Sequence, residues 1–119
     1  EAHKDGVTSI LELSELEILT GGKDAHLKLW DAAIGLELHS LPAHNFVIYD
    51  LLQLNENVFV SASRDKSIKL WELEPMKVLQ RIEAKQGGHK HSVNQLVKIS
   101  ETQFASCSDD GTVIVWNKD

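Results

Sequence analysis

The sequence is poor in the features that place a chain in several common protein classes. It has one cysteine in 119 residues, so an internal disulfide framework is excluded. It also has no apolar run that approaches the length of a membrane span or of a signal-peptide core. These features predict a cytoplasmic, reducing location and no membrane partner.

Positive charge is also scarce. The chain has 12 Lys and Arg residues against 18 Asp and Glu residues, a formal net charge of −6. The basic residues form no stripe of the kind that neutralises a phosphate backbone, so no nucleic-acid partner is expected. Hydrophobic residues make up 42% of the chain, which is enough for one compact domain with a real core.

Four residue types recur three times at fixed offsets. Trp30, Trp71 and Trp116 each have a histidine 27 residues earlier, a serine or threonine ten residues earlier and an aspartate six residues earlier. The interval is 41 residues from the first tryptophan to the second and 45 to the third, because QGGHKH lengthens the second link. The three sets are His3, Thr20, Asp24 and Trp30; His44, Ser61, Asp65 and Trp71; and His89, Ser106, Asp110 and Trp116.

Short apolar segments that end at turn residues are typical of strands, and each repeat contains several. We predict an all-β fold of antiparallel strands, four to a repeat, with the third repeat lacking its outer strand. The predicted repeats are residues 1–42, 43–87 and 88–119. The predicted strands are VTSILEL, FVIYDLLQL and SVNQLVKI; LEILTGG, NVFVSAS and QFASCS; HLKLWD, SIKLWE and TVIVWN; and LELHSL and KVLQRI.

These features resemble those of WD-repeat (WD40-type) β-propellers. The shared features are the period of 40–45 residues, the four strands, the early histidine and a Trp-Asp pair after the third strand. The pair stands as Trp30-Asp31 in repeat one and changes to Trp71-Glu72 and Trp116-Asn117 in the others. Only Gly88-His89 keeps the glycine-histidine pair. The resemblance covers essentially the whole chain and implies one propeller blade for each repeat.

The resemblance also implies a structural role for the recurring residues. In blades of this family a hydrogen-bond chain runs from the tryptophan indole to the hydroxyl, the histidine and the aspartate. Serine, histidine and aspartate are also the parts of a hydrolase triad. An enzyme needs one such site, however, and no nucleophile elbow or oxyanion element accompanies this set. We therefore predict no catalytic residues and no enzyme.

Three other motifs carry weak signals. His89-Lys90-His91 lacks the further ligands of a metal site. Gly21-Gly22-Lys23 lacks the rest of a P-loop and is interpreted as turn chemistry. Cys107 lies among small residues on a predicted central strand, which favours a packed, inert thiol. We predict no cofactor and no metal.

Partner-binding positions are implied on the face where the turn after the second strand meets the start of the first. In repeat two these positions hold residue types that are enriched in interface hot spots. Tyr49 has an alternative role as a cap of its strand. A protein or peptide partner is expected, with acidic groups favoured near Lys23 and Arg64 and repelled near Asp109. The candidates are Val47, Tyr49, Arg64, Lys23, Thr8, Asn94 and Asp109.

Three blades cannot close a ring, because propellers have about 4–8 blades. The chain begins at Glu1 rather than at methionine. We therefore expect a segment of a larger propeller, associated with further blades of the parent chain, of copies of itself or of another chain. The predicted function is a non-catalytic interaction scaffold. The alternative is an enzyme or regulatory protein in which the propeller is the body or sensor domain for an active site elsewhere.

Overall fold

The strands form three antiparallel sheets that follow one another along the chain. The computed structural model describes residues 2–14 and 16–118. A short 3-10 turn, Ala84–Gln86, precedes the third sheet. Blade one contains β1 (Val7–Glu12), β2 (Glu17–Gly22), β3 (His26–Asp31) and β4 (Leu36–Pro42); blade two contains β5 (Ile48–Gln53), β6 (Val58–Ser63), β7 (Ile68–Glu72) and β8 (Lys77–Ile82); blade three contains β9 (Val93–Lys98), β10 (Gln103–Ser108) and β11 (Val113–Asn117).

The sheet order confirms the predicted fold class. The strands lie in the orders β1-β2-β3-β4, β5-β6-β7-β8 and β11-β10-β9, so the third blade has no outer strand among the described residues. Each predicted apolar segment matches one observed strand, and β4 extends one residue beyond LELHSL, to Pro42. FVIYDLLQL differs in one respect, because β5 begins at Ile48 and leaves Phe46 and Val47 outside the strand.

The hydrophobic core lies between neighbouring blades. The junction of blades one and two buries a cluster that includes Leu19, Phe59 and Trp71. The junction of blades two and three buries another, which includes Val60 and Phe104. Every residue of β6 is buried, since blade two is covered on both faces. Each large apolar side chain contributes about 1.5–3 kcal/mol when it is buried, so the stability of one blade depends on its neighbours.

Blades one and three each have one uncovered face. Val97 and Val115 are both register partners of Ala105, so the two valines share a face, and their side chains are 59% and 54% exposed. On blade one, Ile10 is 66% exposed and lies on the opposite side from Leu19. Contiguous exposed apolar surface of this kind favours association.

We predict that the chain self-associates through these faces. Light scattering during size-exclusion chromatography should give a mass above 13.3 kDa that rises with concentration. The double substitution Val97→Lys/Val115→Lys should reduce the mass, because each added lysine would lose its hydration in the contact. Leu79→Lys, on the outer strand of blade two, is the control that should leave the mass unchanged. A wild-type chain that stays monomeric at every concentration contradicts the prediction.

The turn after the second strand of each blade requires a left-handed backbone. The residue that follows the recurring aspartate has a positive φ in every blade: 66° at Ala25, 78° at Lys66 and 85° at Gly111. Only glycine adopts this conformation without a steric cost from Cβ. The first two blades therefore carry local strain at a position where the third has none.

Exchange of these residues should change stability in opposite directions. We predict that Lys66→Gly raises the free energy of unfolding by about 0.5–1 kcal/mol and that Gly111→Lys lowers it by about 1–2 kcal/mol. Both positions are exposed, so lost packing does not mask the backbone effect. Urea unfolding measures both values. If both substitutions raise the free energy of unfolding, or both lower it, the proposed strain at this turn is contradicted.

Candidate functional site

The recurring residues form one hydrogen-bond chain in each blade. In blade two, the Trp71 indole donates to Ser61 Oγ at 2.9 Å, Ser61 Oγ lies 2.7 Å from His44 Nε2, and His44 Nδ1 lies 2.9 Å from Asp65 Oδ2. The corresponding distances are 2.9, 2.7 and 2.9 Å in blade one. They are 2.8, 2.7 and 3.1 Å in blade three. The same geometry in three copies is that of an architectural unit.

The chemistry of the end groups fixes the direction of the chain. An indole N–H only donates and an ionised carboxylate only accepts. His44 must therefore carry a hydrogen on Nδ1, where it faces Asp65. With the neutral ring, Nε2 accepts from the Ser61 hydroxyl, which in turn accepts from Trp71. The Ser61 hydroxyl thus donates its one proton to His44 and accepts from Trp71, and the residue is fully buried.

The aspartate of each chain also closes the turn after the second strand. Asp65 accepts hydrogen bonds from the Ser67 and Asn45 backbone N–H groups at 2.9 and 3.0 Å. The carboxylate thereby joins this turn to the segment that leads into β5, the first strand of the same blade. The other blades repeat the arrangement, with Lys4 and His26 donating to Asp24 and with Lys90 and Thr112 donating to Asp110.

These hydrogen bonds hold the pKa of the turn aspartates below the ordinary value of 3.8. Burial alone raises the pKa of Asp65, but the hydrogen bond and attraction of His44, with the Ser67 hydroxyl, outweigh it and leave the pKa well below the usual range. The pKa of Asp24 is lowered against the effect of burial in the same way. At Asp110 the hydrogen bond from the Thr112 hydroxyl is the largest cause of a low pKa. All three groups therefore act as carboxylates.

Gly21 and Gly22 end β2 before a tight turn, as predicted, and the Gly22 carbonyl accepts from the Ala25 N–H at 3.1 Å, but the turn conformation does not itself require glycine at either position. Both residues lie in β2 and neither has a positive φ. A Cβ on Gly22 would lie 2.6 Å from His3 Cγ, and one on Gly21 would lie 2.9 Å from Ile48 Cγ2. The glycines are needed because the imidazole and the neighbouring blade pack directly on the strand backbone. Ala62 occupies the position of Gly21 in repeat two, so the run of small residues was the available signal.

A β-bulge at the start of each first strand aims the candidate binding residues. The register with the second strand passes over Thr8 in blade one, Tyr49 in blade two and Asn94 in blade three. A bulge bends the strand and re-aims the extra side chain. The family resemblance supplied these positions, and the bulge is the physical reason for them.

Five of the seven candidate residues line one pocket at the junction of blades one and two. We name it the rim pocket: its candidate residues are Thr8, Lys23, Val47, Tyr49 and Arg64, and its volume is about 400 Å³. That volume lies within the range of about 300–1,000 Å³ that is usual for ligand sites. Asp24, Ala25, Asn45 and Phe46 complete the lining.

Phe46 is the residue of this site that the sequence interpretation missed. Its side chain is 57% exposed, and the Arg64 guanidinium lies 5.9 Å from the centre of its ring. This distance allows a cation–π contact. The sequence pattern predicts Phe46 in a strand, but the structure places this aromatic residue ahead of the bulge, outside the strand and on the rim. Tyr49, at 38% exposure, stands on the same rim rather than being enclosed as a cap.

The charged and polar candidates differ in how far they are already engaged. Within residues 2–14 and 16–118, neither Lys23 nor Arg64 forms an ion pair. The Thr8 hydroxyl contacts the Ile48 carbonyl across the junction, so it serves the packing of the two blades. The two cations are thus the available charges of the rim pocket.

Asn94 and Asp109 lie in blade three and do not line the rim pocket. The Asn94 amide donates to Asp109 Oδ1 at 2.8 Å. The equivalent positions of blade three therefore satisfy each other, and they present neither an aromatic side chain nor a cation. The sequence interpretation brought together residues that the fold keeps on separate blades.

The two remaining motifs, His89-Lys90-His91 and Cys107, belong to the third repeat. His89 is used in its hydrogen-bond chain, and the described residues include no group of three or more His, Cys, Asp or Glu side chains that could hold a metal. Cys107 is a half-buried free thiol on the central strand β10. In the same part of the chain, no helix has the length and apolar character needed to cross a membrane.

Comparison with known proteins places the three sheets in context. The family model described as WD domain, G-beta repeat matches residues 1–31, 35–72 and 78–117. The search of curated proteins gives no match. The fold is similar to the structure of U3-55K and to the crystal structure of RRP9 WD40 repeats, each with a TM-score of 0.87, 25% identity and coverage of 98% of this chain. It is also similar to the crystal structure of the WD40 beta propeller domain of Doa1, with a TM-score of 0.78, 31% identity and coverage of 97% of this chain. The chain spans 37% of the length of each of these three structures.

The hydrogen-bond chain should make a measurable contribution to stability. We predict that Asp65→Ala lowers the free energy of unfolding by about 1–3 kcal/mol at neutral pH, because His44 loses its buried acceptor. Asp109→Ala removes an exposed carboxylate and is the control, with an expected change within about 0.5 kcal/mol. Thermal or urea unfolding measures both. Equal stability of the wild type and Asp65→Ala contradicts a supporting role for the chain.

The difference between the wild type and Asp65→Ala should also depend on pH. The folded-state pKa of Asp65 lies below the unfolded value near 3.8, so the unfolded chain binds more protons and the contribution of Asp65 is lost as the pH falls. The difference should be full at neutral pH and shrink progressively as the pH falls from about 5 through 3.8 and below. Unfolding curves over this range test the sign, and a difference that grows in acid is the opposite result.

Proposed function

This chain belongs to the WD-repeat family, whose propeller domains are general protein-interaction scaffolds, and from that premise we propose that it binds a peptide or protein segment in the rim pocket without catalysing a reaction. The observation that carries the proposal is the combination of side chains around the pocket. Phe46 and Tyr49 supply exposed aromatic surface and Arg64 supplies a guanidinium beside it. These residue types dominate binding energy at interfaces.

The charge of the rim pocket defines the chemistry of the proposed partner. Among the described residues Lys23 and Arg64 have no ion-pair partner, whereas the carboxylate of Asp24 accepts hydrogen bonds from His3 and two backbone N–H groups. A partner with an acidic side chain next to an apolar one would pair with the cations and cover the aromatic rings. Such a pairing increases specificity and the association rate. We further propose that this binding takes place in a reducing, cytoplasmic location, consistent with the single cysteine.

The proposal predicts that Tyr49→Ala/Arg64→Ala weakens partner capture by roughly tenfold or more, the effect of removing hot-spot side chains. Both residues are exposed, so the melting temperature should remain close to that of the wild type. The matched control is Asn94→Ala/Asp109→Ala, which changes the equivalent positions of blade three outside the pocket. Immobilised wild type and both variants are incubated with the same cell extract, and bound proteins are quantified by mass spectrometry.

The proposal requires a set of captured proteins that the rim-pocket variant loses and the blade-three control retains. Raised salt should weaken their capture, because ion pairs to Lys23 and Arg64 are screened. Equal capture by the wild type and the rim-pocket variant removes the proposed site. Equal losses in both variants would assign the effect to the whole face instead of the pocket.

A further inference from the structure

A second, smaller pocket lies at the other end of the junction between blades one and two. Strand β5 connects the two pockets: its second residue, Tyr49, lines the rim pocket, and its last residue, Gln53, lines this second pocket. Tyr49 and Gln53 are four residues apart, and a strand rises about 3.4 Å per residue. The two pockets therefore lie roughly 14 Å apart, at opposite ends of the strand. We name it the seam pocket and define it by Leu13, Leu29, Leu73, Glu17, Glu56 and Glu74.

The three leucines form an apolar floor. Leu13, Leu29 and Leu73 are half-buried, and all three pack against the core cluster that contains Phe59 and Trp71. The Phe59 and Trp71 rings are stacked, with 5.7 Å between their centres. Because such a core is close-packed, it supports the floor from below. It leaves apolar surface open to water at this point of the seam.

The three glutamates form a rim of uncompensated negative charge. They come from different parts of the chain: Glu17 starts β2, Glu56 follows β5 and Glu74 follows β7. Within the described residues none of the three is in an ion pair. The described residues that line the pocket include no lysine, arginine or histidine. An occupant therefore needs a cationic group at the rim and an apolar stem below it.

The size of the seam pocket limits the occupant further. Its volume is about 190 Å³, below the range of about 300–1,000 Å³ that is usual for sites of whole small molecules. A single long side chain suits this volume. Lysine and arginine combine an aliphatic stem with a charged head, and they bury the stem on apolar surface while the head stays near water. An acidic side chain would be repelled, and a neutral apolar one would leave the carboxylates without a partner.

We propose that the seam pocket receives one lysine or arginine side chain from a basic protein segment. The stem lies on the three leucines and the head pairs with the glutamates. This site is independent of the rim pocket, which carries the opposite charge. The two ends of the same junction thus select partner segments of opposite charge: the rim pocket selects an acidic segment and the seam pocket selects a basic one.

The test uses the 119-residue chain with ¹³C-labelled leucine methyl groups and three blocked pentapeptides. The peptides share glycine and serine flanks and differ in the central residue, which is arginine, its uncharged analogue citrulline, or glutamate. NMR titration measures binding in the millimolar range. The proteins are the wild type, Glu56→Gln/Glu74→Gln and the matched control Asp5→Asn/Asp109→Asn, which removes two exposed charges away from the seam pocket.

The arginine peptide should shift the methyl signals of Leu13, Leu29 and Leu73, and the citrulline and glutamate peptides should not. Binding should be roughly fivefold weaker in the glutamine variant, as expected for the loss of two exposed ion pairs, and unchanged in the control. Equal shifts with arginine and citrulline would overturn the proposal, as would equal affinity of the wild type and the glutamine variant. Arginine-induced shifts confined to leucines outside the seam pocket, such as Leu79, would overturn it too, without bearing on acidic ligands at the rim pocket.

Discussion

The histidine–aspartate hydrogen bond is the contact on which the rest of each blade depends. It joins residues 21 positions apart, as in His44 and Asp65, and so ties the segment before the first strand to the turn after the second. The same carboxylate also accepts backbone N–H groups from both segments. If this link were absent, buried polar groups would remain unpaired at about 1–3 kcal/mol each. The link also brings Val47 and Arg64 to the same rim, where the Arg64 N–H donates to the Val47 carbonyl at 3.0 Å. A structural requirement thereby assembles the binding surface.

The chain of hydrogen bonds has a second consequence, which concerns the packing of one blade on the next. Its residues lie on the face of blade two that meets blade one, where Trp71 is 2% exposed. Trp30 forms the same hydrogen bonds on the uncovered face of blade one and is only half-buried. The same hydrogen-bond chain is therefore covered by a neighbouring blade in blade two and left partly open to water in blade one. Burial on both faces makes blade two the centre of the structure.

The sequence predicted the parts of the fold that repeat, and it missed those that arise between repeats. Offsets from the three tryptophans identified the four residues that all three chains share, because equivalent positions share one backbone plan, but they did not identify Ser67 and Thr112, whose hydroxyls also bond to the histidine. The family resemblance grouped Asn94 and Asp109 with the partner-binding candidates, yet these two residues satisfy each other on blade three. Neither pocket could be predicted in this way. Each combines non-equivalent residues from two blades, and their proximity depends on how the blades pack.

The positions of both pockets follow from the packing role of the residues in the middle of the strands. Residues such as Leu19 and Phe59 in the middle of the strands are committed to the core between blades, where a change of volume has a large cost. The strand ends and turns carry no such constraint, so aromatic and cationic residues can stand at one end of β5 and glutamates at the other. Both pockets nevertheless stand against the same junction. Tyr49 follows buried Ile48, and Leu73 follows buried Trp71 after one residue. The core thus supports two surfaces of opposite charge, and their charges can vary without altering the hydrogen bonds that hold each blade.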